Sequence, residues 1–312
     1  LFVGLTATFG RDHGVYGIIG SVGAIVFVNV FPFRGKILFK NITYWIIGVL
    51  VGFLPILFMM LFIPGFGIAF IDSVLQMFEL KATNISLPVP WPWKVGFSNL
   101  QVGNAIQEVL VGFFFIAILV FGAVSIVWIF VIKARKKPIP HAVVAASCLS
   151  LPYAYYAFSR ADVGHLALGI FPFLIGCIVL IGTLRPKPKW SLIVLLLTSS
   201  FWVMHSRHPG WKRITGNHIV DTVVYGSNLQ INANKAHNIK WISDLFEQHV
   251  STNGSILVTP SWPGAYAFLG QKSPVWEIYA LHPRSPKFEN AEIGRLKTSN
   301  PELLFVMEWA LD

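Results

Sequence analysis

Along the first two thirds of the chain, apolar residues come in runs of about 20, the length that carries an α-helix across the hydrocarbon core of a bilayer. Runs near 15–33, 43–63, 108–132, 142–158, 166–184 and 191–205 predict six spans. Residues 1–9 read as the tail of a further apolar segment, and the first residue is Leu1 rather than Met. A partial span is therefore expected ahead of the six, with an N-terminal part of the protein missing. A long loop, 64–107, interrupts the series. Within it, 65–80 set Asp72, Gln76 and Glu79 at helical spacing opposite Phe70, Ile71, Val74, Leu75 and Phe78, which predicts a helix lying in the interface plane. The stretch Pro88-Val89-Pro90-Trp91-Pro92-Trp93-Lys94 that follows is expected to be non-helical, because each Pro removes a donor and fixes φ. Its tryptophans suit headgroup depth.

From residue 206 the pattern changes: charge of both signs is frequent and the apolar runs are short. Helices at 238–250, 262–269 and 290–297 alternate with strands at 255–259, 275–279 and 303–307. That order predicts a small α/β domain with a mainly parallel sheet. The expected fold is thus an α-helical multi-pass membrane domain over 1–205, followed by a soluble extracytoplasmic α/β domain over 206–312.

Composition agrees: 54% of residues are hydrophobic and 12% charged, about half the charge of an ordinary soluble domain. The net charge of +10 invites a nucleic-acid reading until it is located. Arg34, Lys36 and Lys40, then Lys133, Arg135, Lys136 and Lys137, then Arg185, Lys187 and Lys189 account for the whole excess. All three clusters lie in short loops between apolar runs, where the positive-inside rule places them. The charge orients the chain in a membrane, and no nucleic-acid partner is implied. With these clusters cytoplasmic, Arg11-Asp12-His13, the loop 64–107, the stretch 156–165 and everything after His205 face the other compartment. Cys148 and Cys177 fall inside spans as small apolar filler, without metal or disulfide spacing.

Two polar knots stand out, Arg11-Asp12-His13 and Arg160-Ala161-Asp162-Val163-Gly164-His165. Charge at a membrane edge is costly unless it pairs or works. Asp accepts a proton or holds a divalent metal, Arg presents a fork suited to phosphate, and His donates to it. Together they suit a reaction whose leaving group is a lipid-linked phosphate. The plainer alternatives are an ion pair fixing a tight turn for the second knot, and a snorkelling Arg with a helix cap at Asp12 for the first. Zinc bound by His13 and His165 lacks a third ligand at metal spacing.

Phe9-Gly10-Arg11-Asp12-His13-Gly14-Val15-Tyr16, Phe158-Ser159-Arg160-Ala161-Asp162-Val163-Gly164-His165-Leu166, and the tail from Ile256-Leu257-Val258-Thr259-Pro260 to Asn300-Pro301-Glu302-Leu303 carry a resemblance. The layout resembles the C-terminal two thirds of a GT-C-type integral membrane glycosyltransferase, the class of protein mannosyltransferases and aminoarabinose transferases. The resemblance implies transfer of a sugar from a polyprenyl-phosphate-linked donor to a glycan, lipid or protein acceptor at the outer face of a bacterial inner membrane. It also implies a catalytic carboxylate in a first external loop, upstream of Leu1. Asp12 and Asp162 are catalytic candidates by position only, as orienting or metal-binding partners, and a divalent-metal requirement is left open. Arg11, His13, Arg160 and His165 are the expected donor-phosphate ligands. Trp262, Tyr266 and Trp276 are candidate sugar-stacking faces, against the plainer reading of core aromatics. A lipid or glycan transporter and a non-enzymatic assembly or anchoring protein are the alternative functions.

Overall fold

The computed structural model describes residues 1–30, 34–80, 87–97, 100–205, 208, 210–211, 219–260, 262–278, 280 and 284–306; side chains are described for these except residues 30 and 76–80. It has two compact units, Leu1–Arg207 and His208–Asp312.

The first unit is helical: α1 (Phe2–Phe9), α2 (Arg11–Val30), α3 (Gly35–Gly52), α4 (Leu54–Phe62), α5 (Phe66–Leu80), α6 (Val102–Ala134), α7 (His141–Ser159), α8 (Val163–Gly169), α9 (Phe171–Gly182) and α10 (Pro186–Met204). By length and apolarity, three stretches among the described residues can cross a membrane: Gly35–Phe62, Val102–Ala134 and His141–Ser159. A fourth is reached if α8 and α9, bent by 50° at Ile170, form one broken span. These helices make the chain a membrane protein. The expected six spans are met in part. The end of the expected span 15–33, residues 31–33, lies outside the described residues. Helix α10 opens with Pro186-Lys187-Pro188-Lys189, which shortens its apolar stretch.

Helix α6 shows the sorting that lipid requires. Val111, Phe115, Ile118, Gly122, Ser125 and Ile129 are buried along one side, whereas Val120, Val124, Val127 and Val131 form an exposed stripe. Because lipid tails are as apolar as Val, association rests on close packing and small residues rather than on water exclusion. Gly20 and Gly23 of α2 accordingly sit against Leu149 and Cys148 of α7. Gly4 of α1 meets the Val49 carbonyl of α3 with no room for a side chain, and Gly52 meets Leu1 in the same way.

The three basic clusters gather at one end of this unit. Lys133 Nζ lies 5.8 Å from the centre of the Phe27 ring, and Asn41 donates to Asn29 Oδ1 at 3.3 Å. Phe27, Ile129, Val143 and Val144 form a buried cluster joined by Leu180 near the end of α9. At the opposite end, Gln107 in the second turn of α6 donates to the Val203 carbonyl in the last turn of α10 at 2.7 Å. Trp202 returns a bond to the Gly103 carbonyl at 3.3 Å.

The loop 64–107 holds α5, where a helix is expected, and one correction. Pro92–Lys94 forms a single 3₁₀ turn, against the expectation of no helix. Pro92 stands first in that turn, where its missing N–H has no partner to lose. The turn is clamped to the bundle: a Cβ at Gly112 would lie 2.5 Å from the Pro90 oxygen and 2.6 Å from Pro92 Cδ. Trp91 and Trp93 stack at 5.2 Å, and Trp91 reaches Phe158 at 6.3 Å.

Among its described residues the second unit is a small α/β region with two two-stranded sheets. Strands β1 (Ile219–Val224) and β2 (Ser227–Asn232) form an antiparallel hairpin that the sequence reading missed, with Val224 opposite Ser227. Its turn, Tyr225-Gly226, has φ of 44° and 77°, the left-handed pair that a two-residue hairpin turn requires. Helix α11 (Ala233–His249), strand β3 (Ile256–Thr259), short helix α12 (Gly264–Phe268), helix α13 (Pro286–Ser299) and strand β4 (Leu303–Val306) follow. Strands β3 and β4 pair in parallel, Val258 opposite Phe305. The core is Ile242, Ile256, Val258, Ala265, Tyr266 and Leu269. The strand expected at 275–279 is absent over the described 275–278. Glu292 of α13 takes the backbone N–H groups of Trp276 and Glu277 on one oxygen, at 2.9 and 3.0 Å, so those donors are withdrawn from any ladder. Residue 279 and the last predicted strand position, 307, lie outside the described residues.

Candidate functional site

Helices α2 and α7 run side by side, and each presents a pair of rings three residues apart, one above the other on the same face. On α2 these are His13 and Tyr16; on α7, Tyr153 and Tyr156. The pairs interlock. His13 stacks on Tyr153 with ring centres 5.7 Å apart and lies 5.0 Å from Tyr156. Tyr16 packs against Tyr153 at 5.5 Å and Tyr156 at 6.0 Å. Tyr156 in turn lies 5.2 Å from His165. One tyrosine therefore touches an imidazole from each knot, and His13 and His165, distant in sequence, share a site.

The second knot is closed on itself. Asp162 caps α8: its Oδ1 accepts the backbone N–H of His165 at 2.8 Å and lies 3.0 Å from His165 Nδ1. Its Oδ2 lies 3.1 Å from Arg160 Nε. The backbone turns tightly between the two charges, with Asp162 N–H donating to the Arg160 carbonyl at 2.7 Å. Burial alone would raise the Asp162 pKa; the hydrogen bonds from His165 and the charges of His165 and Arg160 outweigh it and hold the carboxyl below its ordinary value. With Asp162 ionised, Nδ1 carries the imidazole proton and Nε2 is left to accept from, or donate to, a bound group. Both oxygens of Asp162 are thus committed, which makes it a positioning group rather than a proton acceptor.

The first knot is open. Arg11 donates from Nη1 to Ser73 Oγ on α5 at 2.9 Å, an exposed contact. Asp12, in the first turn of α2, forms no hydrogen bond or ion pair through its carboxylate among the described residues, while its charge acts on the hydroxyls of Tyr16 and Tyr156. No three of His, Cys, Asp and Glu converge into a metal-holding group among the described residues.

Beside the closed knot, Val163 and Leu166 line an apolar cavity of about 210 Å³ with Phe114, Ile170, Val203 and Met204. The sequence neighbours of Asp162 and His165 thus form the wall of a greasy pocket.

In the second unit, Tyr266 is a core residue. It is 6% exposed, and its hydroxyl accepts the Val258 N–H at 2.9 Å, bracing strand β3. Trp262 packs half-buried on the same core, 5.4 Å from Phe268. Of the three expected sugar-stacking rings only Trp276, at 54% exposure, offers a broad open surface. The residues that sequence reasoning missed are Tyr16, Tyr153, Tyr156 and Ser73. The available signal was Tyr153-Ala154-Tyr155-Tyr156, a tyrosine cluster one turn before Arg160.

No protein-family model matches the chain, and neither a curated protein nor a solved structure matches it.

Proposed function

We propose that the chain belongs to a multi-pass GT-C-type glycosyltransferase that moves a sugar from a polyprenyl-phosphate-linked donor to a glycan, lipid or protein acceptor. The observation that carries this reading is the meeting of the two knots around Tyr156 beside the apolar cavity. A lipid phosphate needs cationic donors for its head and a dry groove for its chain, and both lie along α8. The knots lie at the end of the bundle away from the basic clusters, which supports an outer-face site with the second unit extracytoplasmic and the protein in a bacterial inner membrane.

In this reading Arg160, Arg11, His13 and His165 hold the phosphate, and Asp162 fixes Arg160 and the His165 ring. Asp12, uncommitted, takes the proton of the acceptor hydroxyl. The oxygen of that acceptor hydroxyl bonds to the anomeric carbon as the bond from that carbon to the phosphate oxygen breaks, and the polyprenyl phosphate leaves with its charge neutralised by the guanidinium groups.

A second reading has its own observation. The closure of Arg160, Asp162 and His165 on one another also suits a structural turn in a non-enzymatic assembly or anchoring protein. Membranes containing the full-length protein, incubated with a panel of polyprenyl-phosphate sugars, separate the two. Transfer that disappears in Asp12→Asn and Arg160→Ala at normal abundance supports the enzyme. Absence of transfer in the wild type across the panel favours the anchor.

A further inference from the structure

The second unit contains a cleft of about 390 Å³ between the end of β3 and one face of α13, within the range of small-molecule sites. Thr259, Glu277, Arg284, Phe288, Glu289 and Glu292 are among its walls. Arg284 and Glu277 form an ion pair there, with side chains 12% and 13% exposed. Nε of Arg284 donates to Glu277 Oε2 at 2.8 Å, and Nη2 reaches the same oxygen. The third nitrogen, Nη1, is buried and has no hydrogen-bond partner among the described residues. A buried donor left unpaired costs on the order of 1–3 kcal/mol, and more when charged. Few such groups occur in native proteins, and this one borders a cavity.

The chemistry of the walls narrows what fills the space. Glu292 is already engaged by the N–H groups of Trp276 and Glu277 and by Arg295. Glu289 stands exposed at the cleft and makes no hydrogen bond or ion pair through its carboxylate among the described residues. An anion would meet three carboxylates against one guanidinium. A bare cation would leave Nη1 without an acceptor. Neighbouring hydroxyls satisfy both sides, one oxygen accepting from Nη1 and the next O–H donating to Glu289. Phe288 and Ile293 supply an apolar wall for the C–H face of a ring, and Trp276 extends it edge-on to Phe288 at 5.8 Å.

We infer that this cleft binds a neutral carbohydrate. The site is independent of the transferase reading, because binding is measured directly and needs no turnover. The test uses the full-length protein in detergent and saturation-transfer NMR with methyl hexopyranosides, their disaccharides and inorganic phosphate. At least one neutral glycoside should bind saturably, with affinity reduced tenfold or more in Glu289→Ala and in Arg284→Lys, which keeps a cation opposite Glu277. Three outcomes overturn the inference: no glycoside binds, binding is unchanged in Glu289→Ala, or inorganic phosphate competes for the site. Glu289 is exposed, so its variant keeps the test open even if Arg284→Lys fails to fold.

Discussion

The two polar knots contain the same three residue types and sit against the same tyrosine, yet one is closed and the other open. Asp162 spends both oxygens on Arg160 and His165, whereas Asp12 spends neither. The difference follows from chain geometry. Arg160, Asp162 and His165 lie across a tight turn, where a carboxylate at the start of α8 meets backbone N–H and both neighbours at once. Arg11, Asp12 and His13 are consecutive in the first turn of α2, where adjacent side chains point apart and each finds a partner, or none, elsewhere. Identical composition therefore yields a scaffold in one place and a reagent in the other.

The largest expected effect tests that division. Asp12→Asn should lower transfer by about 10²–10⁴-fold, the range for a lost general base, with abundance and thermal stability unchanged. Asp162→Ala should show the reverse emphasis, a loss of stability of about 1 kcal/mol from the lost cap, read as a lower melting temperature in detergent. Should the two variants exchange these signatures, the roles assigned to the knots are wrong.

Gly112→Ala addresses what holds the loop against the site. Its Cβ would collide with Pro90 and Pro92, so the Trp91–Trp93 turn should be displaced at about 1–3 kcal/mol, detected as faster proteolysis within the loop.

A smaller effect separates the knots by pH. Asp162 has a lower pKa folded than unfolded. Its contribution is fully present above the unfolded value, about 4, and is lost as the pH falls through the folded one. Wild type should therefore lose stability on acidification below about pH 4, and Asp162→Asn should lose less. Glu302 provides the smallest effect. Its bonds from the Ser251 N–H and hydroxyl, at 2.6 and 2.7 Å, hold its pKa below the ordinary value, so it has the same sign. It is exposed, and Glu302→Gln should change the acid limb only slightly.

The knots were legible because charge beside an apolar run is conspicuous. Their union was not. It depends on α2 lying against α7, and nothing in Arg11-Asp12-His13 specifies that Gly20 and Gly23 admit Leu149 and Cys148. The Asp12 and Asp162 carboxylates looked equivalent because capping depends on where a helix restarts after a turn. In the second unit, helices at 238–250 and 290–297 announced themselves by period and were longer when seen, Ala233–His249 and Pro286–Ser299. The β-branched run Ile219-Val220-Asp221-Thr222-Val223-Val224 with Tyr225-Gly226 carried a hairpin signal that went unread. Val275-Trp276-Glu277-Ile278 has strand propensity, but a distant carboxylate, Glu292, took its donors, a tertiary effect that local preference does not contain.

The Tyr156 ring lies tilted beside those of both His13 and His165, with ring centres 5.0 and 5.2 Å apart. A ring current felt by two imidazoles makes this one phenol a shared magnetic reference. Any molecule entering between the knots must tilt it, and the ring-proton resonances of both histidines will move together, including in variants that no longer turn over.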